Sequence, residues 1–358
     1  MSALRFGADV LRLWAGGALD QIRVKASDHN ARYRGRKIPT SVTISATYHC
    51  NLTCSHCQAE NDNSKKDITT ERFLRLIDEI ADAGATKIGF TGGEPMIRRD
   101  FGELMERCRA RGLITSVVAN GWLVKRNIEQ LKGLNLLFLS LDGDAQAHDA
   151  IRGPGNFEKF VESVEVAQAH GIPVAALTTL MSNNFHCIQG MADIVTKYRL
   201  HWMVGMIQTA FTKRTEQDLT PEQAREAVRI VSQVRNLRTS KGYLRSVLNF
   251  SPMERCWAGI GYCVIAPNGM LYPCFPAQFD HEAYNGVAMN KENGYTAPPD
   301  HYRGVSIVDK PFGQAFDELL LYRRTCDTCT LACHLEANYL YELRPDNVLQ
   351  SFKLMKPA

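Results

Sequence analysis

Nine of the eleven cysteines stand in three tight groups, Cys50/Cys54/Cys57, Cys256/Cys263/Cys274 and Cys326/Cys329/Cys333, while Cys108 and Cys187 lie apart. An odd total cannot close as a disulfide framework, and a chain of 358 residues is too large for a stapled mini-domain. Clustered thiols in a reducing compartment read first as metal or cluster ligands. Cys50-x3-Cys54-x2-Cys57 offers three thiolates on one short loop. Four-iron clusters are commonly held by four thiolates, so three would leave one iron open to a substrate or cofactor. Zinc, closed tetrahedrally by His49 or His56, is the rival reading of the same loop.

These thiols need a scaffold, and the sequence predicts one. From residue 41 strand and helix patterns alternate: strands at Val42–Thr47, Lys87–Thr91, Ile114–Ala119, Leu136–Leu141, Pro173–Leu180 and Trp202–Thr209, helices near 70–83, 100–110, 123–132, 157–169 and 186–198. Asp100 reads as an N-cap, and Gly84, Gly112 and Gly171 stand where helices should end. Repeated βα units imply a parallel sheet with helices outside it. Six units are too few for a closed eight-fold barrel, so the fold class is α/β, a partial (βα)6 TIM-like barrel. A further helical pattern runs from Pro221 to Asn236, after which alternation stops. Asn268-Gly269, between Val264-Ile265 and Leu271-Tyr272, signals a two-residue hairpin. The expected organisation is an N-terminal amphipathic segment and basic linker (1–40), a barrel (41–242) and a cysteine-rich domain (243–358). The cysteine loop follows the first strand, at the barrel face where active sites are built.

The order of landmarks along this barrel resembles the radical S-adenosylmethionine (SAM) superfamily. Cys50-x3-Cys54-x2-Cys57 matches its signature, with His56 at a position often aromatic there. Thr91-Gly92-Gly93-Glu94-Pro95 looks like the segment that holds the SAM amino group. Ala119-Asn120-Gly121, Ser140-Leu141-Asp142-Gly143 and His148-Asp149-x2-Arg152-Gly153 extend the likeness to the branch with C-terminal SPASM or twitch extensions. The resemblance implies a [4Fe–4S] cluster on Cys50, Cys54 and Cys57, with Gly92, Gly93, Glu94, Pro95, Asn120, Ser140 and Arg152 binding SAM. Ser140 would meet the ribose and Arg152 the carboxylate, which a guanidinium can grip bidentately. Ser140 and Asp142 read equally as residues that cap and turn the strand end. Ser182, Asn183 and Asn184 are either pocket or turn residues. The implied chemistry is reductive cleavage of SAM to a 5′-deoxyadenosyl radical that abstracts a substrate hydrogen atom. The cofactors do the hard chemistry, and the protein binds, orients and excludes water.

Cys256-x12-Gly269-x4-Cys274 resembles the opening of the SPASM/twitch extension. The resemblance implies one auxiliary [4Fe–4S] cluster on Cys256, Cys274, Cys326 and Cys329. Cys333 could replace one of the last pair, or join Cys263 on a second cluster, and zinc on the last group with His334 stays open. In sulfatase-maturing members an aspartate follows the proline-cysteine of the hairpin; Phe275 stands there, which disfavours that activity. What remains is a biosynthetic, peptide or natural-product modification, a lipid or small-molecule substrate at a membrane surface, or a cluster- or zinc-binding scaffold without catalysis. Cys187 is a candidate hydrogen-atom donor, though a lone cysteine at a helix start is more often simply buried. A flavodoxin or ferredoxin would supply the electron. The net charge of +4 with dispersed basic residues argues against nucleic acid. No apolar run reaches the length of a membrane span, so the expected location is cytoplasmic. The amphipathic stretch from Leu4 to Val24 leaves room for peripheral contact with the inner membrane face, or for packing across the barrel bottom.

Overall fold

The computed structural model describes residues 39–57, 64–207, 215–249, 257–275, 277–278 and 304–322. Six parallel strands form the barrel: β1 (Ser41–Ser45), β2 (Lys87–Thr91), β3 (Ile114–Ala119), β4 (Leu136–Ser140), β5 (Val174–Leu180) and β6 (His201–Met206). Each pairs with its sequence neighbour in parallel. Alternation sorts the two faces. Val42, Ile44, Ile88, Phe90 and Val117 are buried in the core against the helices. Thr43, Gly89 and Ser116 share the other face, because a Cβ on Gly89 would meet Ser116 Oγ at 3.2 Å and Thr43 Oγ1 at 3.8 Å.

The helices are α1 (Thr70–Asp82), α2 (Phe101–Ala110), α3 (Ala145–Arg152), α4 (Asn156–Ala169), α5 (Ile188–Lys197), α6 (Pro221–Val231), α7 (Lys241–Asn249) and α8 (Phe312–Tyr322). α1 begins where Thr69 Oγ1 accepts from Arg72 N, and it buries Phe73, Leu76, Ile77 and Ile80 on one face. α6 opens with a full capping box on Thr220 and Gln223, with Pro221 at its first position. Gly84, Gly112 and Gly171 all take positive φ after a helix, as their spacing predicted. Asp100 does precede α2, but its side chain makes no cap bond. It is held by Arg98 instead, with Nε to Oδ1 at 2.9 Å and Nη2 to Oδ2 at 2.6 Å, and by Thr70 Oγ1 at 2.7 Å.

Three features depart from the expected elements. The stretch expected as a helix over 123–132 is a run of turns. It keeps Val124 and Leu131 buried, but its backbone bonds mix three- and four-residue spans, and Asn127 N and Nδ2 share the Leu123 carbonyl. α3, α7 and α8 went unforeseen. The third difference is the sheet itself, which does not end at β1. β7 (Tyr262–Ile265) pairs in parallel with β1, then β8 (Met270–Tyr272) and β9 (Val305–Ser306) follow antiparallel. The strand order is β6-β5-β4-β3-β2-β1-β7-β8-β9. The Asn268-Gly269 turn joins β7 to β8 as the dipeptide signals, with Gly269 at φ 82°. At the opposite edge main chain bridges β6 through Trp202 N to Asn236 O at 3.0 Å and Arg238 N to Trp202 O at 2.7 Å, while Thr239 Oγ1 accepts from Val204 N at 2.8 Å and Tyr243 Oη from Met206 N at 2.9 Å, so the strand's edge is covered.

Candidate active site

The loops after β1 and β2 are joined through backbone, and the loop after β3 joins them through side chains. Ala46 N donates to Thr91 O at 2.6 Å, Gly93 N to Thr47 O at 2.9 Å, and Glu94 N to His49 O at 2.9 Å. This approach requires both glycines. A Cβ on Gly93 would lie 2.0 Å from His49 O, and one on Gly92, already at φ 127°, 2.7 Å from Thr47 O. Arg98 fastens the same region from below, with Nη1 on Ala46 O at 3.1 Å and Nη2 on Ile68 O at 3.3 Å. The turn carries Glu94 into full burial, where its carboxylate accepts from Met96 N at 3.3 Å and Asn120 N at 2.9 Å. Burial pushes the Glu94 carboxyl up to about 7, against the lowering pull of those two N–H groups and Arg152. Pro95 opens the short 3-10 turn that follows. Asn120 then links back to the cysteine loop, with Nδ2 on Asn51 Oδ1 at 2.8 Å and 3.9 Å from Cys50 Sγ.

The other flank is built from side chains. Asp144 caps α3 by accepting from Ala147 N at 3.0 Å, and Gly143 lets the chain enter so tightly that a Cβ there would lie 2.6 Å from Ala147 Cβ. His148 and Arg152, one helical turn apart on α3, therefore both face Asp142. Asp142 N donates to His148 Nδ1 at 3.1 Å. That bond requires the tautomer protonated on Nε2, in keeping with a His148 pKa lowered to about 4 by burial and by Arg152. Arg152 places Nε and Nη2 on Asp142 Oδ2, each at 2.6 Å, and turns Nη1 toward Cys54 Sγ at 3.9 Å. Burial alone would raise the Asp142 carboxyl, but Arg152, His56 and the Thr179 N–H hold it below the ordinary range. His56 Nε2 stands 3.7 Å from Asp142 Oδ2.

Of the residues expected to bind cofactor, Gly92, Gly93, Glu94, Pro95, Asn120 and Arg152 gather around the cysteine loop, and Ser140 ends β4 two residues before Asp142. Arg152 differs in one respect from the expected grip. Its Nε–Nη2 edge is already taken by Asp142. Asn184 proves to be a turn residue, with Nδ2 on Asp142 O at 3.0 Å and Thr179 O at 2.9 Å and Oδ1 on Met181 N at 2.7 Å. Ser182 bonds Glu216 O. Cys187 is buried at the start of α5, its thiol 3.6 Å from Asp144 Oδ2. Cys263 is fully buried on β7 among apolar side chains, and burial pushes its thiol far up. Cys274 is half-buried after β8. Gln278, which follows it, is buried with Oε1 accepting from Ser45 Oγ at 3.5 Å, so this segment reaches the end of β1 beside the cysteine loop. Nothing in the sequence flagged Gln278, because its partner lies 233 residues away. The spacing Asp142-x5-His148-x3-Arg152 was the one signal that could have disclosed the Asp142 hub. Cys256, Cys326, Cys329, Cys333, His334 and the segment from Leu4 to Val24 lie outside the described residues.

A family model of the radical SAM superfamily matches residues 44–195, from β1 into α5. The chain is 30% identical over 275 residues to the AdoMet-dependent heme synthase of Nitratidesulfovibrio vulgaris, covering 65% of this chain and 73% of that protein. It belongs to the radical SAM superfamily. This radical SAM enzyme is also 29% identical over 255 residues to the Fe-coproporphyrin III synthase of Methanosarcina barkeri, covering 69% of the chain and 60% of that relative's length. The scaffold reading without catalysis is thereby set aside. In fold it matches SuiB of Streptococcus suis bound to S-adenosylmethionine, with TM-score 0.62 and 17% identity over 75% of this chain and 67% of that one. It also matches anSMEcpe with bound AdoMet, with TM-score 0.61 and 16% identity over 87% and 98%.

The family implies a [4Fe–4S] cluster and SAM, and the donor set fits. Cys50 and Cys54 are half-buried and Cys57 exposed on one loop. Burial pushes the Cys50 thiol up to about 11, and Glu94, Cys57 and Cys54 push the same way. Cys54 is also raised by burial, against the pull of Arg152. Three thiolates so placed need a cationic centre to coexist, which iron supplies. Among the described residues no helix is long and apolar enough to cross a membrane.

Proposed function

We propose that this enzyme uses Cys50, Cys54 and Cys57 to hold the catalytic cluster, and that it modifies a small molecule of the porphyrin class. When bound there, the cluster and SAM would supply the reductive, hydrogen-abstracting chemistry of the family. The chain's own residues do the rest. Glu94 offers a buried carboxylate to the SAM amino group, Arg152 offers Nη1 to the carboxylate, and Ser140 stands for the ribose. The observation that carries the reading is the two-glycine contact that presses Glu94 and its turn directly onto the cysteine loop, with Gly93 allowing what a Cβ 2.0 Å from His49 O would forbid. The porphyrin class is supported by the names of the two sequence relatives, a heme synthase and an Fe-coproporphyrin III synthase. Peptide substrates are the second reading, and the SuiB and anSMEcpe likeness supports only the fold for it.

Cys274, with Cys256, Cys326 and Cys329, would hold one auxiliary cluster, and a flavodoxin- or ferredoxin-type protein would deliver the electron in a reducing, cytoplasmic setting. The test is anaerobic reconstitution, dithionite reduction and measurement of 5′-deoxyadenosine, with and without Fe-coproporphyrin III, while the porphyrin mass is followed. Replacing Cys50, Cys54 and Cys57 together by Ala should abolish SAM cleavage, and iron should fall to that of the auxiliary site. SAM cleavage at the wild-type rate in the triple variant would overturn the assignment. An unchanged porphyrin in an enzyme that cleaves SAM would overturn the substrate class alone.

A further inference from the structure

Every polar atom of Asp142 is engaged. Its N donates to His148 Nδ1, its carbonyl accepts from Asn184 Nδ2, Oδ1 accepts from Thr179 N at 2.8 Å, and Oδ2 accepts both Nε and Nη2 of Arg152. The side chain is wholly buried, and it draws on three separate elements: the end of β4, the end of β5 and the last turn of α3. Such a carboxylate cannot swing. Its fixed direction is passed to the guanidinium through two bonds on one edge, so Arg152 has only the Nη1 end left to present. That end faces Cys54 Sγ at 3.9 Å, and the cysteine loop itself approaches the same Oδ2 through His56 Nε2 at 3.7 Å.

We propose that Asp142 is a positioning residue for Arg152: a buried carboxylate, locked by β5 and α3, that orients the guanidinium so that its Nη1 end is presented beside Cys54. The inference rests on the reading of Arg152 as the SAM carboxylate partner. A long, flexible cation beside the cysteine loop has a competing anion in the thiolate of Cys54, and a second anion fixed behind it is what stops it collapsing there. A guanidinium pinned on one edge also loses less freedom when it meets a ligand carboxylate, which is the physical meaning of preorganisation.

The test is a double-mutant cycle on the reconstituted, oxidised holoenzyme, read by anaerobic calorimetric titration with SAM and by the change in the reduced cluster's electron paramagnetic resonance when SAM is added. Asp142→Asn and Arg152→Ala should each weaken SAM binding by roughly ten- to a hundred-fold with cluster absorbance retained. The double variant should be no weaker than Arg152→Ala alone, because Asp142 acts through the arginine. A merely structural Asp142 would give additive losses, which would overturn the inference. Breaking a buried pair is strongly destabilising. Asp142→Glu, which keeps the charge but displaces it by a methylene, therefore decides the matter if Asp142→Asn loses its cluster. It should hold the cluster and still bind SAM more weakly with a smaller resonance shift, whereas wild-type affinity and shift would overturn the proposal. If Arg152→Ala itself binds SAM normally, the underlying reading of Arg152 fails. If Arg152→Ala is weak and both Asp142 variants are normal, only the positioning role fails.

Discussion

The two flanks of the site are made of different materials. On the β1–β3 side the Gly92-Gly93 turn, the cysteine loop and Asn120 are joined mostly through main chain, by N–H to carbonyl bonds and by N–H groups aimed at Glu94. On the β4–β5 side the same job falls to an ion pair and a histidine gathered on one buried aspartate. Main-chain contact is short-ranged and indifferent to side-chain identity, but intolerant of added volume. A side-chain hub depends on charge as well. Damage on the first side should therefore appear as lost structure and lost cluster, and damage on the second as lost affinity with the cluster intact.

The sharpest way to break this contrast is Gly93→Ala. The new methyl would stand 2.0 Å from the His49 carbonyl, so the cysteine loop must move. Overpacking of this kind costs about 1–3 kcal/mol, occasionally more. The expected result is loss of cluster iron, measured as iron and sulfide per chain with the visible absorbance. A fully loaded variant would mean that the loops are not locked as described. On the opposite flank, Arg152→Ala should keep its iron and lose about 1.5–3 kcal/mol of SAM binding, the usual loss for a hydrogen bond to a charged group. Calorimetry beside an iron assay separates the two classes.

A smaller effect sharpens the role of Glu94. Its carboxyl is raised to about 7, so the folded site gains a proton as pH falls through 7. A positively charged amino group is bound best by the ionised form. SAM affinity should therefore fall by about tenfold per unit below the folded pKa and level off above it. Glu94→Gln should flatten that dependence, and a slope that persists in the variant would assign the titration elsewhere. The smallest expected change is at Ser140, where a neutral hydroxyl is worth about 0.5–1.5 kcal/mol. Ser140→Ala should raise the SAM Kd by a few-fold at most, with kinetics of 5′-deoxyadenosine formation otherwise preserved.

The barrel strands were legible because each is a short, strongly patterned run of β-branched and apolar residues closed by a turn signal, and β2 and β3 fall where the pattern places them. The helix over 123–132 was not, since its apolar spacing is genuine but its backbone bonds alternate between three- and four-residue spans and settle as successive turns. α3 was missed for the opposite reason: it is short, polar and defined by its ends, with Asp144 as cap and Gly153 at φ 106°. Asp100 shows the same limit in miniature, standing where a cap belongs while its carboxylate is drawn away by Arg98 and Thr70.

By itself the sequence determined the residue types and spacings that chemistry requires: three thiols on one loop, two adjacent glycines before a glutamate, and a parallel βα alternation to carry them. Those are local facts, decided by neighbours a few positions apart. Tertiary structure alone decided that β7 would lie beside β1, that Gln278 would reach Ser45 and that Cys263 would lie within the core. It also decided that Asp142 would claim one edge of Arg152 before any ligand could. Each of these depends on which distant groups share a buried space. There an unpaired charge or polar group is costly enough to select its partner, and spacing along the chain carries no information about that choice.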